Sequence, residues 1–474
     1  MKHPTIALVE VDGLHEQFDL RLALRPGLNV LYGKNGRGKT TLLHILANAL
    51  ELDFKRFQHL QFRRLAISTD AGNTVEIEKF ASLGGQGLQV RVDGVRFGGE
   101  SPIPQFDTED QKALLDILGG RPVYLPAFRA ILERVRSEQY AEPPRDGEYE
   151  SIREAERQIE RQQYPELRRT LAYLPGRDNS SMTARKTMQC REWFGHFIPT
   201  IRYPSIMEVT DRLTNEYRDA QVETGMQERR MLSEMFVEVF KALLSDEDIP
   251  SEIEVDHLMQ RVRHALEAEE TSTEFESYTD RIGSKLAQEM GALKSKQAHG
   301  GSAERRVLRL YAQMLERRNQ ERQSTFARVR QFEAAVNKFL DNKSLRVTDE
   351  RVERSRRISG VFVETEGRKY PLGSLSSGER QVLTMLFSAT RMNLGSGAFL
   401  IDEPELSLHI DWQRIILSEL MTQAGERQII ACTHSPEVGA DHMDSVQIFS
   451  PSTHIVSLPT QPGEGSDSTM DEML

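Results

Sequence analysis

The sequence predicts an α/β fold interrupted by a large helical insertion. Three observations carry this. Residues 1–126 are dense in short β-like runs, residues 346–450 alternate apolar strand-like runs with helical ones, and residues 127–345 are helical in their periodicity. The chain has 474 residues, 38% of them hydrophobic and 28% charged, so it is long enough to bury a sizeable core in two or three domains. Its two cysteines, Cys190 and Cys432, exclude a disulfide framework and point to a reducing, cytoplasmic setting. No run approaches the ~18 apolar residues of a membrane span. The N-terminal MKHPTIALVEVDGLHEQF reads as a strand rather than a signal peptide. A net charge of −11 argues against wholesale nucleic-acid coating while allowing a local basic groove.

The first zone contains TIALVEV, FDLRLAL, GLNVLY, RLAISTD, TVEIEKF, LQVRVDG and PVYLP, several with apolar–polar alternation and separated by Gly, Asn and Asp. One amphipathic helix interrupts them from Lys39 to Leu50, with Leu42, Leu43, Leu46 and Leu50 at helical spacing. The insertion carries two apolar stripes. Over 226–244 the stripe is Leu232, Met235, Phe236, Val239, Phe240 and Leu243. Over 303–342 it runs from Val307 and Leu310 to Val336 and Phe339, which predicts a helix of about 60 Å. Such stripes read first as helix-on-helix packing. Charge is uneven: Glu208–Asp280 holds 20 acids against 7 bases, and Gly301–Arg357 holds 15 bases against 8 acids. Two solvated faces that pair with each other are the expectation, with a nucleic-acid groove as the alternative. Pro143–Pro144 and Pro175–Gly176 are expected to break helices. In the last zone VFVETE is a strand, 378–393 a helix, AFLID a buried strand, 408–424 a helix and QIIACTH another buried strand, an alternation that predicts a parallel sheet. The domains expected are thus 1–126, an insertion over 127–345, 346–450, and a flexible acidic tail over 451–474.

The chemistry begins at residue 33. Gly33, Lys34, Asn35, Gly36, Arg37, Gly38, Lys39 and Thr40, with Thr41 beside them, fit G-x-x-x-x-G-K-[ST] between a strand and a helix, as the motif requires. Glycines let the backbone curl so that its amides point at phosphates, and the helix N-terminus adds partial positive charge. Lys39 then reaches the β- and γ-phosphates of ATP, and the Thr40 hydroxyl ligates Mg2+. In AFLIDEPE, Asp402 and Glu403 end an apolar run at the carboxyl edge of the sheet, where ligands bind. Asp402 is the second Mg2+ ligand, and Glu403 the base that polarises the attacking water. Ser435-Pro436 reads as N-cap and first residue of a further helix.

Leu375-Ser-Ser-Gly-Glu-Arg-Gln381 resembles the LSGGQ signature of ABC-type ATPases. The order of phosphate loop, LSSGE, apolar-DE and Thr433-His434-Ser435 is similar to that of an ABC nucleotide-binding domain. The resemblance implies an ABC-type P-loop ATPase head, a mixed sheet plus an antiparallel β lobe, bearing a large helical insertion. It implies that His434 is a switch histidine contacting the γ-phosphate. It further implies that Ser376, Ser377, Gly378 and Glu379 complete an ATP site on a second copy of the chain, hence a homodimer or larger homo-oligomer. DEPELSLH with Ile410-Asp-Trp412-Gln413 resembles the soluble RecF and overcoming-lysogenisation-defect group, in which His409 stands where transporters have Asp. VYLPAFR, with Pro126–Arg129, resembles that group's replacement of the transporter glutamine loop. The layout resembles the ATPase subunits of PARIS and, second, Septu anti-phage systems.

Three functions follow as expectations. The first is an ATPase sensor or scaffold of a defence system, controlling a separately encoded nuclease effector and answering a phage-encoded trigger protein. The second is a repair or chromosome-handling ATPase binding DNA. The third, a transporter energy subunit, disagrees with the insertion, His409 and the missing glutamine loop. The chain ends about two dozen residues past Ser450, which leaves no room for a fused nuclease of the Toprim type. His196, His257, His264 and His299 show no metal-ligand spacing.

Overall fold

A computed structural model describes residues 3–82, 85–98, 104–129, 177–244, 257–265 apart from 259 and 263, 302–354, 357–390 and 397–453. Pro143–Pro144, Pro175–Gly176, His299 and the tail from residue 454 lie outside the described residues. The chain forms two compact units, one of residues 1–203 with 393–474, the other of 204–392.

The first unit keeps its parallel and antiparallel strands in different sheets. The antiparallel one has seven strands. It includes β1 (Ile6–Leu14), β2 (Phe18–Ala23), β4 (Arg64–Thr69), β5 (Thr74–Ser82), β6 (Gly85–Val92), β7 (Val95–Phe97) and β15 (Ser452–Thr453), in the order β15-β2-β1-β4-β5-β6-β7. Alternation in β1 places Ile6, Val9 and Val11 inside. Ser452 and Thr453, assigned from sequence to a flexible tail, instead pair with Asp19 and Phe18 of β2.

The other sheet holds β3 (Leu28–Tyr32), β8 (Val123–Leu125), β12 (Phe399–Asp402), β13 (Ile429–Thr433) and β14 (Val446–Ile448), in the order β14-β3-β13-β12-β8, with every neighbouring pair parallel. β12 and β13 are buried throughout, which is why they read as unbroken apolar runs. Gln428 links the two sheets: its side chain accepts from the Ile6 amide at 2.9 Å and donates to the Ile6 and Arg25 carbonyls at 2.8 and 2.9 Å.

Helix α1 (Lys39–Leu50) lies as expected and packs on the parallel sheet with Leu42, Leu43, Ile45, Leu46 and Leu50 all at 0% exposure. Helix α2 (Thr108–Ile117) was not anticipated. Its signal was Asp107, whose carboxylate accepts from the Asp110 amide at 2.7 Å as an N-cap, followed by acids in the first turn. Among the described residues this unit also has helix α3 (Arg177–Phe194) and α7 (Ile410–Ala424), which starts two residues later than expected. The Glu51 carboxylate at the end of α1 takes both guanidinium nitrogens of Arg202 and lies 3.6 Å from Arg121. The helix expected after Ser435-Pro436 does not form. A turn follows β13, and only a 3-10 segment, Ala440–Ser445, comes after it, because the Ser435 amide and hydroxyl are drawn to Glu405 and Gln413 instead.

The second unit contains α4 (Ile206–Leu244), α5 (Ser302–Asn337) and α6 (Ser377–Ala389), with a sheet of β9 (Ser344–Arg354), β10 (Arg357–Thr365) and β11 (Arg368–Tyr370). α4 begins twenty residues ahead of the 226–244 stripe, and α5 is shorter than the 40-residue expectation at 36 residues. Arg317 meets Glu234 at 3.8 Å and Arg328 meets Glu216 at 3.6 Å, so α4 and α5 run antiparallel. These pairs fulfil the expectation that the acidic and basic stretches face each other. Leu258, Val262, Ala265, Leu308, Ala312 and Leu315 form one buried cluster beside them. α5 ends where the Asn337 side chain accepts from the Leu345 amide at 2.6 Å and the buried Glu333 accepts from the Val347 amide at 2.5 Å. Those two bonds turn the helix into β9, a strand the sequence reading missed. The division at 203/204 and 392/393 places 377–389, expected in the C-terminal part of the head, in the same unit as the long helices. Among the described residues, no helix is long and apolar enough to cross a membrane.

His44 on α1 offers a test of this core. Its ring bonds the Tyr124 hydroxyl at 2.9 Å, and burial lowers its pKa from 6.5 to about 4. The unfolded chain therefore binds a proton that the folded chain refuses. The stabilising difference is complete above pH 6.5 and is lost as pH falls from 6.5 to 4, by about 3 kcal/mol at most. Melting temperatures of the wild type and His44→Gln, measured across that window, should show a shallower acid decline in the variant. Equal slopes would remove His44 from the acid response.

Candidate functional site

All the chemistry-bearing loops of the first unit leave the carboxyl ends of parallel strands. Residues 33–38 follow β3, Thr433 to Ser435 end and follow β13, Asp402 to Glu405 end and follow β12, and Pro126 to Arg129 follow β8. Parallel pairing puts these four ends on one edge of the sheet.

The loop after β3 turns through two left-handed glycines, Gly36 at φ 77° and Gly38 at φ 92°. A Cβ at either would meet nothing within 4 Å, so dihedral strain rather than lack of room selects glycine there. Gly38 is the N-cap of α1 and no side chain caps it; the first turn also lacks an acid. The helix therefore presents its leading amides to an external acceptor, which is the arrangement that binds an anion. Lys39 is 5% exposed, and its ammonium folds back onto its own loop, donating to the Gly33 and Lys34 carbonyls at 2.7 and 3.2 Å. It also stands 3.9 Å from Glu403 Oε1. Lys34, Asn35, Gly36, Arg37 and Thr40 are exposed along the rim, and Thr41 is half-buried.

Thr40 Oγ1 donates to Asp402 Oδ2 at 2.8 Å and ties this loop to β12. Asp402 is 1% exposed, and burial raises its pKa against the opposing pulls of Thr40, Arg129 and Lys39. Its Oδ1 is buried with no hydrogen-bond partner. An orphaned carboxylate oxygen beside a threonine hydroxyl and a lysine fits a hard divalent cation with oxygen ligands, so the two residues predicted for Mg2+ are brought together with a free donor.

Glu403 follows with a left-handed backbone, φ 48°, its amide donating to the Cys432 carbonyl at 2.8 Å. Its carboxylate contacts His434 Nδ1 and accepts from the His434 amide at 3.3 Å. Burial, then the neighbouring Glu405 carboxyl, push the Glu403 pKa up to about 7, while His434 pulls the other way. A carboxylate poised near neutrality is suited to taking a proton from water. The His434 side chain is 45% exposed, at the mouth of the site.

Two residues here were not assigned roles from sequence. Glu405, 5% exposed, uses Oε1 to accept from the His434 and Ser435 amides, both at 3.1 Å, and from the Thr433 hydroxyl. It thereby fixes the loop that carries His434. Arg129, 0% exposed, donates to main-chain carbonyls of Asp402, Glu403 and Pro404. The spacing Asp402–Glu403–Glu405 was a signal for Glu405; nothing in the local sequence signalled the partners of Arg129. Glu403, Glu405 and His434 each place one donor atom within 4.8 Å of the others, but Glu405 Oε1 and His434 are already engaged in the bonds above. His409 is not at this centre: it is an exposed N-cap of α7, its Nδ1 lying 3.1 Å from Asp411. His196, His257 and His264 are exposed.

The signature segment belongs to the second unit. Ser376 caps α6 in a capping box, accepting from the Glu379 amide at 3.3 Å while its own amide donates to Glu379 Oε2 at 2.6 Å. Ser376 and Ser377 are exposed, and Gly378 is buried. Glu379, placed with the nucleotide ligands in the sequence reading, is instead committed to this cap and to Lys343, at 2.9 and 3.0 Å. Its pKa is lowered: burial pushes it up, but the Lys343 and Ser376 bonds outweigh that.

Residues 244–441 match a family described as "AAA domain, putative AbiEii toxin, Type IV TA system". The match is less than half of the chain; it takes in Ser376–Glu379, Asp402–Glu405 and His434 but not Gly33–Thr41. No curated protein matches. Among solved structures, the chain is similar to an Smc head domain from Pyrococcus furiosus with an extended coiled coil, bound to the C-terminal domain of ScpA. The identity is 12%, the TM-score 0.38, and 95% of this chain and 96% of that one are covered. An Smc head bound to the C-winged helix domain of ScpA matches at 11% identity and TM-score 0.38, covering 95% and 98%. An Smc head domain with coiled coil and joint from Pyrococcus yayanosii matches at 15% identity and TM-score 0.36, covering 92% and 93%.

Proposed function

We propose that the chain is an ABC-type ATPase, binding ATP with Mg2+ at Gly33–Thr41 and hydrolysing it with Glu403 as base and His434 at the γ-phosphate. The observation that carries this is the Thr40–Asp402 hydrogen bond with Glu403 and His434 in contact beside it, all on one sheet edge. Thr40 and Asp402 would hold the Mg2+, which supplies charge neutralisation to the phosphates. Lys39 exchanges its loop carbonyls for phosphate oxygens, and Glu403 accepts a proton from the attacking water. The exposed Ser376 and Ser377, with the Gly378 amide, complete the site of a second copy; the exposure of the two serines at the start of α6 supports this.

In this reading the ATPase is the sensor or scaffold of an anti-phage system and controls a separate nuclease effector, with the long helices receiving a phage-encoded trigger. The toxin–antitoxin wording of the matched family supports a two-component arrangement. A DNA-handling role draws on the excess of bases over 301–357, yet Arg317, Arg328, Lys343 and Arg346 each meet a carboxylate of their own unit.

Glu403→Gln keeps the shape of the side chain and removes its basicity. Hydrolysis should fall by about 10²–10⁴ while ATP stays bound, measured as phosphate release and retained nucleotide. Wild-type turnover in this variant would exclude Glu403 as base. For the shared site, Lys39→Ile and Ser376→Arg proteins should each be inactive, and mixed dimers of the two should regain partial ATPase activity from one intact composite site. Verified mixed dimers without recovery would exclude a site built from two copies.

A further inference from the structure

Four main-chain carbonyl oxygens converge on the guanidinium of Arg129. Nη1 donates to Pro126 at 3.2 Å and Asp402 at 2.9 Å; Nη2 donates to Glu403 at 2.8 Å and Pro404 at 3.2 Å. The side chain is fully buried, which is costly for a cation and is tolerated only where the surrounding dipoles are well aligned. Three of those carbonyls belong to consecutive residues, 402–404. For them to face one donor, the chain must curl as it leaves β12.

The curl solves a problem in the site. Successive side chains of a strand point to opposite faces. Asp402 and Glu403 are adjacent, yet Asp402 bonds Thr40 and Glu403 stands 3.9 Å from Lys39, the next residue down, so both carboxylates serve one centre. The backbone achieves this by taking Glu403 into the left-handed region, φ 48°, which is unfavourable for a residue with a side chain. Such a conformation persists only when its neighbours impose it. Three hydrogen bonds do so: the Glu403 amide donates to the Cys432 carbonyl at 2.8 Å, and its carbonyl accepts from Arg129 Nη2 at 2.8 Å and from the Leu406 amide at 3.2 Å. Arg129 itself is set by the end of β8, where its amide donates to Pro126 at 3.3 Å and Phe128 stacks on Phe194 at 4.2 Å.

We infer that Arg129 is a positioning residue for hydrolysis, holding Glu403 in its left-handed turn so that the carboxylate is aimed into the site. The inference rests on the ATPase reading above. A lysine cannot replace the arginine, because the planar fork serves the Asp402 and Glu403 carbonyls from two separate nitrogens while an ammonium is a single point. The bonds of the guanidinium to the 402–404 carbonyls act on the turn that aims Glu403, so turnover should fall further than nucleotide binding.

The test compares the wild type, Arg129→Lys, Arg129→Gln, Glu403→Gln and the double variant Arg129→Lys/Glu403→Gln, in full-length protein. Each is measured for kcat, KM for ATP, equilibrium binding of a non-hydrolysable ATP analogue, and thermal melting. Arg129→Lys should lose about tenfold to a hundredfold in kcat, the order expected of a misplaced catalytic group, with KM and analogue binding within about threefold of wild type. The double variant should hydrolyse no more slowly than Glu403→Gln, because a residue acting through Glu403 has nothing left to position. Losses that multiply in the double variant, or a raised KM with kcat unchanged, would overturn the inference. If Arg129→Lys does not fold, Arg129→Gln is read by the same criteria, and failure of both to fold makes Arg129 a plain core residue and overturns it too. Wild-type turnover in Glu403→Gln alone is a different result: it removes the ATPase reading, and the inference with it.

Discussion

Parallel pairing of four strands that are distant in sequence is the constraint on which the rest of the site depends. Val123, Phe399, Ile429 and Leu28 lie in register across β8, β12, β13 and β3, so the loops that follow all emerge at one edge. Layers packed on both faces of these apolar strands hold that register, since a slip would bring differently sized side chains against a close-packed core. A phosphate-type loop, an orphaned carboxylate oxygen and a carboxylate–imidazole contact then meet without any loop having to reach far. Burial also sets the electrostatics, raising the pKa of both Asp402 and Glu403.

Around this edge the polar groups form a hierarchy of rigidity. Asp402 is tied through one oxygen to Thr40 and has the other free. Glu403 is held through its backbone, which leaves its carboxylate to contact His434. Glu405 does the reverse: its carboxylate is spent on the loop of Thr433, His434 and Ser435. Three carboxylates within four residues thus have three different environments, and the middle one combines partial exposure with a pKa pushed up to about 7. Division of labour between adjacent carboxyl groups arises in this way, from their surroundings rather than from their identity.

The second unit follows a different logic. Its long helices meet through ion pairs on their faces and through Tyr217 against Phe326, α5 shares an apolar cluster with Leu258, Val262 and Ala265, and its signature helix is capped twice, by Ser376 and by Lys343 through Glu379. Surface ion pairs contribute little stability each, so register between α4 and α5 comes chiefly from the apolar contacts. Lys343 sits in the turn between α5 and β9, so the start of α6 is bonded to the residue that leads into β9.

What the sequence by itself determined was whatever depends on near neighbours along the chain. The glycine spacing of 33–38, the apolar face of α1, the continuous apolar runs of β12 and β13 and the stripe of α5 were legible, because dihedral preference and hydrophobic period are local properties, whereas Phe236 and Phe240 of the stripe expected over 226–244 stand 66% and 65% exposed on α4 instead of packing. What only the tertiary structure decided depends on residues far apart in sequence. The turn after His434 replaced an expected helix because Glu405, thirty residues back, takes the Ser435 amide. The strand β9 formed because Glu333 and Asn337 of the preceding helix capture its amides. Arg129 became part of the site because 273 residues later the chain returns its carbonyls to the same edge. No local pattern encodes such meetings; they follow from the order of strands in the sheet.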